Sequence, residues 1–335
     1  MKRISFVFSI MLVAAMLLTA CATAAQTATP APTQTKYLRV AVIIPSTTTD
    51  MAWSESIMDA LKTIQTDLGG ASAMQIMVSE NMFNVPDAAN AMRDYASQGV
   101  DMVIAHGSQY GTLIKDLATD FPKTTFVYET GSDTFGLPNV VAYDVAAQEG
   151  GYVQGVLAAM STKAKKIGIV GPVNGGDDKT YFDGFQQGVK SVDPTITVSV
   201  TWTGSYSDVG LMTEAAKTHV ANGADILAGS SQAAVGAISF ARDNKIPWFS
   251  DDVDQSSLAP NEVVSSNLYN WIVSLKDIVV NRQAGKLGGT TYVLHLSNGG
   301  LKIIYNPNYP LPANIKAAGD AAIQGIIAGT IKVTP

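Results

Sequence analysis

The chain has 335 residues, of which 47% are hydrophobic, so it can bury a sizeable core and has room for more than one ordinary domain. Its 22 basic and 28 acidic side chains give a formal charge of −6, which leaves no basic stripe for a polyanion and excludes a nucleic-acid polymer as partner. One cysteine allows no intrachain disulfide, so the fold has to be held by packing alone.

The chain opens on Met1, Lys2 and Arg3, then the apolar run ISFVFSIMLVAAMLLTA, then the sole cysteine, Cys21. A basic start, an apolar stretch and small residues at its end make residues 1–20 a secretory signal rather than a spanning anchor. The stretch LTAC (18–21) fits the bacterial lipobox, in which cleavage precedes the cysteine and the thiol receives a lipid. An ordinary buried cysteine behind a plain signal is the weaker reading. Residues 22–36, ATAAQTATPAPTQTK, are too poor in apolar side chains to pack, so residues 21–37 are expected to form a flexible tether. Removal of Lys2 and Arg3 with the signal lowers the formal charge to about −8. No later apolar run approaches the roughly 20 residues of a spanning helix. The expected location is the extracytoplasmic face of a membrane, with the lipid as the only attachment.

From residue 38 onward strands and helices alternate. LRVAVIIP (38–45) is an apolar, β-branched run of the kind buried on both faces of a parallel sheet. Further strands are expected at 74–80, 101–108, 124–131, 140–145, 166–172, 195–204, 224–231, 246–252 and 262–270. Helical segments such as DAANAMRDYASQG and GLMTEAAKTHVANG separate most of them, the second ending on a glycine suited to a C-cap. Repeated βα units imply parallel sheets with right-handed crossovers, and about ten strands over nearly 300 residues imply two doubly wound lobes. NGGLKIIYNP (298–307), after TYVLHLS, reads as a hairpin turn with a returning strand.

Candidate site residues follow from the carboxyl ends of these strands, where open α/β sheets bind ligands. Trp53, in TDMAWSESIMDAL (49–61), sits near the start of the first helix, where it either caps the apolar stripe of Ile57, Met58, Leu61 and Ile64 or faces a ligand. His106, at the end of its strand, is the one histidine placed for a cleft contact; His219 and His295 lie far from it with no metal-ligand spacing, so no metal is expected. GPVNGGDDKT (171–180) lies between strand and helix as a phosphate loop would, but Asp177 and Asp178 break the spacing and would repel phosphate. No G-x-S-x-G elbow exists, so nucleophilic hydrolysis has no local support. Neither an enzyme activity nor a cofactor is expected.

Several segments resemble the basic membrane protein family, the nucleoside-binding lipoproteins that serve ABC transporters. DMAWSESIMDAL stands where that family has a D-x-S-F-N-x-x-x-x-E-G motif after its first strand. QEGGYVQG (148–155) is similar to its QEAGYLAG, KKIGIVGP (165–172) to its GKVGFVGG and WTGSYSDV (202–209) to its YTGSFNDP. GADILA (223–228) and SDDVDQ (250–255) look like its GADVIF and GVDSDQ. The resemblance runs in the same order from about residue 38 to 330, and it implies the type I periplasmic-binding fold: two doubly wound parallel-sheet lobes joined by three hinge crossovers. On that basis residues 38–145 with 254–285 are expected to form the first lobe, and 146–253 with 286–330 the second.

The resemblance also implies a cleft that closes on a nucleoside, with aromatic rings on the base and polar groups on the ribose. Carried over by position, Asp50 matches the motif's aspartate, Trp53 its stacking phenylalanine, Ser54 its asparagine and Asp252 the aspartate on the ribose hydroxyls. A strand-end aspartate can accept from two vicinal hydroxyls, or can hold a hinge instead, the work expected of Asp251 and Asp254. Three features depart from the family. Tyr269 stands where a ribose-binding lysine is common, Ser54 is shorter than asparagine, and HGSQYG (106–111) replaces a GFGF-like turn. Trp53, Tyr110, Tyr181 or Phe182, and Tyr269 keep the expected cleft rich in rings.

The expected function is a monomeric, lipid-anchored solute-binding protein that delivers a nucleoside-like small molecule to an ABC permease. A ligand-sensing subunit for a membrane receptor, a binder of a sugar-like ligand and an enzyme remain as alternatives.

Overall fold

The computed structural model describes residues 37–335, so the expected signal, tether and Cys21 lie outside the described residues. The first sheet takes β1 (Leu38–Ile43), β2 (Met74–Ser79), β3 (Met102–Ala105), β4 (Thr125–Glu129) and β5 (Val140–Val145), joined by α1 (Trp53–Asp67), α2 (Val85–Ser97) and α3 (Gly111–Asp120). The chain then crosses into α4 (Ala147–Ser161) and builds a second sheet from β6 (Lys166–Gly171), β7 (Thr197–Trp202), β8 (Ile226–Gly229), β9 (Trp248–Asp252) and β10 (Val263–Tyr269). Its crossovers are α5 (Gly176–Val192), α6 (Val209–Ala221) and α7 (Val235–Asn244). The tail is α8 (Ile272–Gln283), β11 (Thr290–Leu294), β12 (Leu301–Tyr305) and α9 (Ala313–Ile327).

Strand order is β11-β5-β4-β3-β1-β2 in one sheet and β12-β10-β9-β8-β6-β7 in the other. Every pairing is parallel except β12 on β10. The central strands β3, β4 and β8 are buried along their whole length and, apart from Thr125 and Glu129 at the ends of β4, are built of apolar and aromatic residues, as strands covered by helices on both faces must be, whereas the edge strands β2 and β7 are only partly buried. This is the doubly wound, two-lobed fold that the alternation of strand and helix indicates.

The crossings fall elsewhere than expected. Residues 254–269 do not return to the first lobe: β10 pairs in parallel with β9 and extends the second sheet, so the chain crosses back only between Tyr269 and α8. There Trp271 is fully buried and its Nε1 donates to Ser56 Oγ on α1 at 2.8 Å, pinning the crossing to the first lobe. Nor is residues 294–301 a hairpin. β11 pairs with β5 in the first sheet and β12 with β10 in the second, so the Gly299-Gly300 turn is the third crossing. A short glycine turn between two strands looks the same locally in both cases; only the sheet each strand joins separates them.

The glycines of QEGGYVQG have a packing reason. A Cβ on Gly155 of α4 would stand 2.1 Å from the Phe185 carbonyl oxygen, and one on Gly188 of α5 2.1 Å from that of Tyr152. The two helices therefore touch backbone to backbone, which no larger residue permits.

Candidate functional site

The cleft lies between the carboxyl ends of the two sheets. Its first-lobe wall begins with Asp50, whose carboxylate accepts from the amides of Ala52, Ser54 and Glu55 and fixes the start of α1. That start sets Trp53 with its ring stacked on His106, centroids 4.3 Å apart and planes 10° from parallel. Behind them Trp271 meets Trp53, His106, Tyr143 and Tyr269 edge-on at 5.6, 5.2, 5.3 and 5.7 Å. These are the tilted geometries that ring quadrupoles favour.

The partners of His106 fix its proton. Nε2 lies 3.2 Å from the Trp53 carbonyl oxygen, which can only accept, so Nε2 carries the hydrogen; Nδ1 then accepts from the Tyr143 hydroxyl at 2.7 Å. Burial pulls the imidazole down to about 3, so the ring is neutral at physiological pH. The ring stack of this wall is uncharged.

The second-lobe side is of opposite character. Asp177 and Asp178 at the start of α5, Ser230 to Gln232 after β8, and Asp252 and Tyr269 at the ends of β9 and β10 line the cavity, and Glu129 with Thr130 reaches in from the first lobe. Burial pushes Asp177 up to about 7, with the Asp144 carboxylate adding to it, and Glu129, Asp178 and Asp252 are raised well above the ordinary range chiefly by burial and then by neighbouring carboxylates. Among the described residues, one group of three acids could hold a metal ion: Glu129, Asp144 and Asp177 each bring an oxygen within 4.8 Å of the others. Asp252 and Thr130 have φ of +70° and +52°, uncommon for aspartate and costly for a β-branched residue, a strain that concentrates where side chains must be aimed.

At the mouth, Phe83 of the first lobe and Tyr206 of the second touch with centroids 5.7 Å apart. Behind them the cavity is about 50 Å³, room for a few waters, while a recess of about 250 Å³ opens outside. The inner cavity as it stands is too small for a nucleoside-sized solute.

Of the residues singled out in the sequence, Trp53, Asp252 and Tyr269 line the cavity together. His106 lies behind Trp53 as its support. Asp50 is occupied with the helix start, and Ser54 is buried with its Oγ accepting from the Ser46 amide at 3.2 Å. Tyr110 donates to the Met82 carbonyl at 2.8 Å, Tyr181 to Gln154, and Phe182 packs on Trp202 at 5.1 Å; these three rings are buried outside the cavity. Asp251 accepts from Asn267 and from the Tyr269 hydroxyl, both at 2.9 Å, and so ties β9 to β10, while Asp254 accepts from the Ser256 amide in the turn after β9. Among the lining residues that sequence reading passed over are Phe83, Glu129, Asp177, Asp178 and Tyr206. All follow strand ends or open a helix, the signal that marked Trp53. The spacing of Asp177 and Asp178 argues only against a phosphate loop, and lining a cleft is a different role.

The sequence profile of the family described as ABC transporter substrate-binding protein PnrA-like matches residues 37–333. The purine-binding protein of Brucella abortus (strain 2308) is 28% identical over 70% of this chain and 65% of its own length. The ABC transporter nucleoside-binding protein BmpA of Lactococcus lactis subsp. cremoris (strain MG1363) is 25% identical over 99% of both chains. Among solved structures, a solute-binding protein of an ABC transporter system from Conexibacter woesei superposes with a TM-score of 0.73 at 22% identity, covering 89% of this chain and 98% of that one. One from Aeropyrum pernix K1 gives 0.77 at 16%, covering 89% and 94%. The chain belongs to the Bmp family of PnrA-like ABC transporter substrate-binding proteins.

Proposed function

We propose that this protein is a lipid-anchored, extracytoplasmic binding protein that carries a nucleoside-like small molecule to an ABC permease. The observation that carries the reading is Trp53: a planar ring, supported from behind by His106 and Trp271, lines a cavity that also holds Asp252 at a strand end. Such a ring gives a heterocycle a surface to stack on, and an aspartate can accept from two vicinal hydroxyls at once. The names of the Brucella and Lactococcus relatives, a purine-binding and a nucleoside-binding protein, support the same class of ligand.

Mass spectrometry of the small molecules that copurify, followed by calorimetric titration of each, tests the reading. A purine or pyrimidine derivative that binds one to one, remains chemically unchanged and loses affinity with Asp252→Ala is the expected result; a ligand with no ring would overturn it. The anchor is tested separately, since Cys21→Ser should release the protein from washed membranes. A second reading has its own support: a relative named transcriptional activator protein med, from Bacillus subtilis (strain 168), is 24% identical over 89% of this chain and 88% of its own length. If deletion of the protein changes transcription and leaves uptake of the labelled ligand untouched, sensing replaces transport.

A further inference from the structure

The cavity is lined by four acidic side chains, Glu129, Asp177, Asp178 and Asp252, and by no lysine, arginine or histidine. Lys179, next in sequence, is paired with Asp183 on the exposed side of α5, and the neutral His106 lies behind Trp53. Glu129 is fully buried and lines the cavity; its Oε2 accepts from Thr130, its carboxyl faces that of Asp177, and its Oε1 meets no donor of the protein at hydrogen-bond distance. The acids come from both lobes, so closing the cleft brings like charges together in a setting of reduced dielectric. Hydroxyl and ring N–H donors of a neutral ligand can bond these oxygens but cannot cancel their charge. An unpaired buried carboxylate and an aromatic platform within one cavity are the two halves of a site for an organic cation, one supplying charge-assisted hydrogen bonds and the other a ring face.

We propose that the solute is a cation: a flat, nucleoside-like heterocycle with a positive charge, seated on Trp53 with that charge between Glu129 of the first lobe and Asp177 and Asp178 of the second. The proposal rests on the nucleoside-like reading above and adds the charge of the ligand. It also gives the cation a part in closure, since a positive group offsets the like charges that closing gathers and can take the place of the protons that burial draws onto these acids. A bare divalent ion on Glu129, Asp144 and Asp177 would meet three protein oxygens where hard cations take six or more, and it would leave the aromatic wall without a partner.

Paired probes of nearly equal shape decide it: adenosine against 1-methyladenosine and cytidine against 3-methylcytidine, the methylated member of each pair being cationic at neutral pH. Calorimetric titration should show the cation binding about tenfold tighter or more. Glu129→Gln and Asp177→Asn should each bring the ratio of the two affinities toward one. Should Glu129→Gln fail to fold by its melting curve, Asp178→Asn at the partly exposed start of α5 carries the same test. Neutral probes that bind as tightly as their cationic partners overturn the charge proposal and leave the nucleoside-like reading standing. If no probe of either kind binds, both fall. Calcium chloride is titrated alone as well; tight calcium binding with no preference within the pairs would assign the carboxylates to an inorganic ion and also overturn the proposal.

Discussion

The two walls of the cleft are built on the same fold and differ in almost every physical respect. The first-lobe wall is a stack of rings, Trp53 on His106 on Tyr143 with Trp271 edge-on to all three, neutral and fixed by short hydrogen bonds. The other is a set of carboxylates at strand ends and a helix start, with Asp177 and Asp251 pushed up to about 7 by burial. One wall holds its shape without a ligand, whereas the other stores unfavourable charge that a ligand can relieve. The difference separates what positions a solute from what responds to it.

The largest effect should come from removing the hub of the neutral wall. Trp271 is fully buried, so Trp271→Ala should lower stability by about 3 to 5 kcal/mol and also release the backing of Trp53. Chemical denaturation measures the first and titration the second. A variant that is destabilised yet binds normally would show that the platform does not depend on its backing.

Trp53→Ala should act mainly on binding. Loss of a stacking face is worth about 1 to 3 kcal/mol, or roughly fivefold to a hundredfold in affinity, and Trp53→Phe should restore most of it. Because Trp53 is only partly buried, its melting temperature should fall less than that of Trp271→Ala. Unchanged affinity in the alanine variant would reduce Trp53 to a helix cap.

The walls should also answer pH in opposite senses. Asp177, faced by Glu129, Thr130, Asp144 and Asp251, and Asp251 itself have folded values near 7 against an ordinary 3.8. Their contribution to stability is complete below 3.8 and is lost as pH rises through 7. His106, enclosed by Trp53, Tyr143 and Trp271, has a folded value near 3 against 6.5, so its contribution is complete above 6.5 and is lost as pH falls toward 3. Lowering the pH from 8 to 6.5 should therefore stabilise the ligand-free protein, by about 1.4 kcal/mol per pH unit for each net proton. Below 6.5 His106 opposes the gain. Melting curves across pH check this: Asp177→Asn should flatten the upper limb and His106→Gln should steepen the lower one, while stability that falls from pH 8 to 6.5 would contradict the acidic wall.

The same contrast governs how much of the site was legible beforehand. Strands were readable because burial on both faces demands unbroken apolar runs; Trp53 stood out as a large ring after the first strand, though a helix cap would look the same, and Asp252 and Tyr269 came from the resemblance to the family's motifs, with the strand-end position of Asp252 in agreement. Tyr110, Tyr181 and Phe182 misled because a buried ring and a cleft ring carry the same local signal. Glu129 and Trp271 were passed over for the opposite reason. Glu129 closes a strand that is apolar almost throughout, and Trp271 follows a crossing whose place depends on which sheet β10 joins. That choice is made by long-range pairing, as is the third crossing, whose local sequence looks like a hairpin.

The smallest and most discriminating change is Asp252→Asn. Asp252 sits at φ +70°, and asparagine tolerates the left-handed region at least as well as aspartate, so the backbone is not further strained. The substitution keeps the shape and puts an amide that cannot ionise in place of a carboxyl raised well above the ordinary range by burial and then by Asp251, Asp178, Asp50 and Asp177. The ligand-free protein should gain about 0.5 to 1 kcal/mol in stability, a gain typical of relieving a site kept under strain for function. Affinity should fall in the same variant, because the amide offers one acceptor oxygen where the carboxylate offered two and no longer attracts a positive group. A melting temperature that rises while affinity drops is the signature of a wall whose charge serves the ligand. If instead the asparagine variant melts earlier, the Asp252 carboxylate belongs to the hinge, and the second wall is structural like the first.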